Sequence, residues 1–236
     1  MAKLSELVRA HTTLDREQVG HLNRLVSEWG MLADLCFSDL LLYVPTTDGR
    51  WAVIGQVRPA TGQTMYESDW VGGWTNDTEA AVLAKALETG EVVDGEISVE
   101  GIPDETRMLA IPVVQNGRPI AVLTREWIEK IGRRPGELER TYDSLFDRFT
   151  RMIASGAFPF PMRAGDSSSA PRVGDGVMVL DADAEVEYVS PNANSALHRV
   201  GIQASAVGMR LAELGFHDGP VRQAFERQVP VIEEFE

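Results

Sequence analysis

The runs Met108-Leu109-Ala110-Ile111-Pro112-Val113-Val114 and Pro119-Ile120-Ala121-Val122-Leu123 flank Asn116-Gly117. Two apolar runs joined by Asn-Gly specify a β-hairpin, because the tight turn between twisted strands demands residues that tolerate positive φ. Strands this apolar need cover on both faces, which commits the chain to an antiparallel sheet between other layers. A second hairpin is written around Asp48-Gly49, between Leu40-Leu41-Leu42-Tyr43-Val44 and Trp51-Ala52-Val53-Ile54-Gly55.

The cover is also legible. Leu22, Leu25, Val26, Trp29, Leu32, Ala33 and Cys36 fall at spacings of 3 and 4, and predict one helix over about Leu14–Cys36 with Thr12 or Thr13 as its cap. Leu138, Tyr142, Leu145, Phe146, Phe149, Met152 and Ile153 predict a second, opened by Pro135-Gly136 and closed by Gly156. Between them, Asn76 and Glu79 have the spacing of a capping pair for a shorter helix over Ala80–Leu87, stopped by Gly90. Each long stripe suits either cover of its own sheet or a subunit interface.

In order of elements, and most of all in the hairpin Arg107-Met108-Leu109-Ala110-Ile111-Pro112-Val113 with Asn116-Gly117-Arg118-Pro119-Ile120-Ala121-Val122-Leu123, residues 1–156 resemble a GAF domain. Ala121 stands where glycine is commoner in that family. Residues 157–172 break the pattern. Phe158-Pro159-Phe160-Pro161 is barred from helix by its prolines, and Ala164 to Pro171 has the composition of a flexible linker, so a boundary belongs here.

Residues 173–236 begin a second pattern. Val177–Leu180 reads as a strand, Asp181-Ala182-Asp183-Ala184 as a turn, Glu185–Val189 as a strand, and Ser190-Pro191 as the cap and first position of a helix that ends at Gly201. This hairpin and Asn-containing helix start resemble the N-terminal part of a PAS domain, with Val229-Pro230-Val231-Ile232 as the entry to the next strand. The resemblance implies further strands beyond Glu236. The expected class is therefore α+β: a GAF domain, with its antiparallel sheet flanked by long amphipathic helices, followed by a truncated PAS domain.

A GAF–PAS pair in an acidic chain resembles the sensory half of cytoplasmic sensor histidine kinases, more narrowly the actinobacterial antitermination sensor kinases. That resemblance implies a parent histidine protein kinase using ATP and a divalent cation. It implies autophosphorylation within a homodimer, then transfer to a response regulator with an RNA-binding antitermination output. Input regions of cyclic-dinucleotide enzymes or phosphatases, and a stand-alone ligand-binding module, are the alternatives.

The residues restrict the chemistry. No glycine-rich ATP motif occurs, and Leu197-His198-Arg199-Val200 lacks the continuation of a phosphoacceptor box, so this chain alone should be inactive. The net charge of −14 argues against a nucleic-acid surface and against docking on an anionic bilayer. The lone cysteine, Cys36, excludes an internal disulfide and suits a reducing cytoplasm. His21 and Cys36 lie ~22 Å apart along one helix, too far to share a metal, and no residue pattern calls for a resident cofactor. An unidentified small-molecule signal is expected at Trp51, Tyr66, Trp70, Trp74, Arg107 and Met108, since aromatic walls with one basic group suit a nucleotide-like or aromatic ligand. The same rings also suit the core between the sheet and the loop that crosses it.

Overall fold

The computed structural model describes residues 2–60, 64–128, 134–160 and 172–231, in two compact units, Met1–Ala170 and Pro171–Glu236. In the first, α1 (Ala2–His11) and α2 (Arg16–Cys36) precede β1 (Asp39–Pro45) and β2 (Trp51–Val57). Then come α3 (Asp77–Thr89), β3 (Val93–Val99), β4 (Ile102–Gln115), β5 (Arg118–Ile128) and α4 (Glu137–Ser155). The five strands form one antiparallel sheet in the order β2-β1-β5-β4-β3.

Local chemistry explains the boundaries. The β4–β5 turn places Asn116 at φ 50° and Gly117 at φ 74°, as its sequence demands. Helix α2 starts two residues later than the threonines suggest: Asp15 is the cap, accepting from the amides of Glu17 and Gln18, while Gln18 returns a bond to Asp15. Thr12 instead closes α1, its hydroxyl donating to the Val8 carbonyl at 2.8 Å. Asn76 and Glu79 form the expected capping box of α3, and Gly90 ends that helix at φ 68°. Replacing Asn76 with Ala removes one partner of that box and is expected to cost about 1 kcal/mol, read as a lower urea midpoint with an unchanged m-value.

The sheet has two covered faces. Helices α2 and α4 pack on one another and on one face, with α1 against α2 and β2. Phe146 and Ile153 of α4, like Leu22, Leu25 and Leu32 of α2, are fully buried. Both stripes therefore have cover within their own chain. Trp29 lies so near Gly55 that a Cβ there would fall 2.6 Å from the indole, so β2 needs glycine at that point. Helix α3 covers the other face through Leu83 and Ala86.

In the second unit a 3-10 turn at Val173–Asp175 leads into β6 (Met178–Leu180), β7 (Val186–Val189), α5 (Pro191–Arg199) and α6 (Gly219–Arg227). β6 and β7 pair antiparallel across a turn held by Asp181, whose carboxylate accepts from the amides of Asp183 and Glu185. Ser190 caps α5 by accepting from the Ala193 amide. Val186, Leu197, Ala206 and Leu214 are buried together. The strand expected at Val229–Ile232 does not form at Val229–Val231, where α6 has just ended with Gln228 at φ 52° and Pro230 has no amide to donate; Ile232 lies outside the described residues. Most of the Pro/Ser-rich linker, residues 161–171, also lies outside them.

Candidate functional site

The core between the sheet and α3 is where polar groups enter an apolar interior. Leu41 and Tyr43 of β1, Trp51 and Val53 of β2, Met108 and Ala110 of β4, and Val122 of β5 point into it. Strand parity then brings Thr124 and Glu126 to the same face. Both are buried, Glu126 to 1 % exposure.

Glu126 is the hub. Its Oε1 accepts from Thr124 Oγ1 at 2.6 Å and from the Tyr43 hydroxyl at 3.1 Å, and its Oε2 accepts from the Tyr66 hydroxyl. Burial pushes the carboxyl's pKa up, against the pull of these three hydroxyls. The same burial pushes both phenols well above their ordinary range, so they stay donors. Glu79, at the start of α3, is also buried; its pKa is raised to about 7, first by burial and further by the charge of Glu126, against the Asn76 amide it accepts from.

Tyr66 belongs to a strap, described over residues 58–60 and 64–76, whose second half lies along β2. Asp34 accepts from the Ala60 amide at 2.7 Å. Asp39 accepts from Thr64 Oγ1 at 2.7 Å and the Met65 amide at 2.8 Å. Farther on, Gln56 accepts from the Trp70 amide, and backbone bonds join Gly72 and Gly73 to Val53. Carboxylates from α2, β1 and β5 thus hold the first half of the strap, and the edge of β2 holds the second.

Of the residues singled out from sequence, Trp51, Tyr66 and Met108 are buried in this one cluster, and Trp70 packs against it with its ring edge-on to Tyr66 at 5.8 Å. Trp74 lies apart, edge-on to His11 at 5.2 Å, with the Arg50 guanidinium 3.7 Å over its ring. Arg107 stands on the opposite face of β4 from Met108 and reaches Asp94 at 2.6 Å and Glu96 at 3.7 Å on β3. The cluster is thus aromatic and acidic, with its expected basic member outside it. Tyr43, Glu79, Asp39 and Glu126 were not singled out. For Glu126 a signal is present in Val122-Thr124-Glu126, where a core-facing alternation turns polar.

An enclosed carboxyl with three hydroxyl donors is suited to holding a segment in place and to titrating, not to attacking a substrate. Cys36 is equally enclosed, and burial pushes its thiol up to about 12. Among the described residues no group of acidic, histidine or cysteine side chains is arranged to hold a metal ion, and no helix is long and apolar enough to cross a membrane.

Glu79 gives a pH prediction. The unfolded chain ionises this carboxyl near 4.5, whereas the folded one keeps its proton to about 7. Its contribution to stability is therefore fully present below the unfolded value and is lost as pH rises towards 7. Glu79→Gln should flatten the fall in unfolding midpoint between pH 5 and 7 by about half or more. An unchanged slope would assign the fall to other groups.

Residues 4–145 match the family model described as the GAF domain of the histidine kinase PdtaS. The sensor histidine kinase PdtaS of Mycolicibacterium smegmatis is 35% identical over 218 residues, covering 91% of this chain and 44% of that protein. The protein of that name from Mycobacterium tuberculosis is 36% identical over 219 residues, covering 90% of this chain and 43% of that protein. The chain thus spans less than half the length of these curated relatives. A solved structure, the sensor region of a sensor histidine kinase, superposes with a TM-score of 0.74 at 35% identity, covering 91% of this chain and 74% of that one.

Proposed function

Because the chain belongs to the GAF-domain family of the histidine kinase PdtaS, we propose that it is the sensory region of a cytoplasmic histidine protein kinase and controls ATP-dependent autophosphorylation. The observation that carries this reading is similarity that runs through both units, at 35% identity, to a solved kinase sensor region. Residues 173–236 are the N-terminal part of a PAS domain in this proposal, supported by the hairpin and by the Ser190-capped, Pro191-started helix that follows. The kinase core, with its ATP and divalent cation, lies in sequence following this region. Phosphoryl transfer in trans needs a second copy, so the proposal includes a homodimer.

The signal is a small molecule that acts at Trp51, Tyr66, Trp70 and Met108, the rings and thioether gathered on the α3 side. The receiver is a response regulator, with an RNA-binding antitermination output as the specific form proposed. The test uses the full gene product that contains this chain, incubated with ATP and magnesium. Acid-labile, base-stable phosphate on the protein that then moves to a response regulator is expected. A folded, ATP-binding product that forms no such phosphate, or that makes a cyclic dinucleotide, overturns the reading.

A further inference from the structure

Successive strand residues face opposite sides of a sheet. At positions 125 and 126 of β5 both sides carry a polar anchor. Glu126, on the α3 side, accepts from Tyr66 of the strap. Arg125, on the helix side, places Nη1 3.2 Å from Asp143 Oδ1 of α4 and Nε 3.3 Å from Ser38 Oγ. Its guanidinium also lies 5.5 Å from the centre of the Phe146 ring of α4. A single peptide unit therefore separates the group that holds the strap from the group that holds the helix.

A solvent-open cleft lies beside this junction. The cleft, about 310 Å³ in volume, is lined by Thr64, Asp39 and Glu126 and by Arg125, Glu139 and Asp143. Close-packed interiors resist small displacements and move between discrete arrangements. Both anchors border this cleft, so neither is enclosed by packed side chains on every side.

We infer that the Arg125–Glu126 dipeptide couples the strap to α4, so that release of Tyr66 from Glu126 loosens the hold of Arg125 on Asp143 and Phe146. Coupling of this kind is reciprocal: freeing α4 from Arg125 loosens the strap. It belongs to the first unit alone and holds whatever output the parent protein carries, so its failure and that of the kinase reading are distinguishable.

Amide hydrogen exchange across the whole 236-residue chain at one pH tests it. Tyr66→Phe should speed exchange about fivefold or more in the strap and in the first turns of α4 together, with the centre of α3 unchanged. Asp143→Asn should speed the same two segments. The double variant should speed them by less than the product of the single effects. Gln56→Ala is the control: it frees the strap at Trp70, away from β5, and should speed the strap without α4. Should Tyr66→Phe fail to fold by circular dichroism, Glu126→Gln takes its place, since it keeps the shape while weakening the acceptor for Tyr66. A faster strap with unchanged α4 in the Tyr66 or Glu126 variant, or equal effects of the Gln56 variant on α4, overturns the coupling.

Discussion

Glu126→Ala is expected to lower the stability of the first unit by about 3 kcal/mol at acid to neutral pH, a fall of about 6–12 °C in its unfolding midpoint. The substitution strands two buried phenol hydroxyls, on Tyr43 and Tyr66, and leaves Thr124 only the Leu41 carbonyl at 3.4 Å. Each stranded group costs about 1–3 kcal/mol, but the alanine also removes a carboxyl whose own desolvation was unfavourable, so the total falls short of the sum. Glu126→Gln keeps the shape and an acceptor oxygen and should stay within about 1 kcal/mol.

The pH dependence has a definite sign. Burial raises the folded-state pKa of Glu126 above its unfolded value, so its contribution is fully present below the unfolded value of 4.5 and declines as pH rises through the folded one. The gap between wild type and Glu126→Ala should accordingly narrow as the solution is made alkaline, and Glu126→Gln should gain on wild type over the same range. Chemical denaturation at several pH values reads both. A gap that widened with pH would mean the carboxyl ionises more readily in the folded protein than in the unfolded one, against the direction set by its burial.

Phe146→Ala should be the most damaging single change on the helix side, at about 3–5 kcal/mol. Phe146 is fully buried in α4, and its loss leaves a ring-sized cavity where α4 meets the sheet and the Arg125 guanidinium. Unlike the Glu126 effect, this one should be nearly independent of pH, because no proton is involved. Phe146→Leu fills most of the space and should cost about 1–1.5 kcal/mol. A loss under 1 kcal/mol in the alanine variant would show that α4 docks on the sheet through other residues.

The parts of the fold legible in sequence are those set by local chemistry. Asn116-Gly117 dictates its turn, Asn76 and Glu79 their capping box, and Gly156 a left-handed helix end at φ 78°. What escaped was set by context. β3 is an edge strand whose outward residues are exposed and include Asp94 and Glu96, and whose Gly95 lets Val82 of α3 approach to 2.6 Å of where a Cβ would sit. Neither charge nor glycine favours a strand locally; pairing with β4 overrides both. Asp15 displaced the two threonines as a cap because its carboxylate is joined by Gln18 in a reciprocal pair.

The site divides in the same way. Trp51, Tyr66 and Trp70 gather in one cluster, since large rings fill the space between the strap and the sheet. Arg107 stands on the other face because it is one residue from Met108 on a strand, and parity separates them. The alternation Val122-Thr124-Glu126 marks Glu126 as core-facing, but its partners come from β1, the strap and β5, up to 83 residues distant, and only the fold brings them together.

Under the proposed function, the α3-side core of the GAF domain governs the output of the protein that carries it. The direct test is the autophosphorylation rate of the full gene product, compared between wild type and Tyr66→Phe at equal folded fraction and saturating ATP. A change of about fivefold in rate, with the KM for ATP unaltered, is the predicted result. An unchanged rate in the folded variant, with the strap shown by hydrogen exchange to be open, would contradict it.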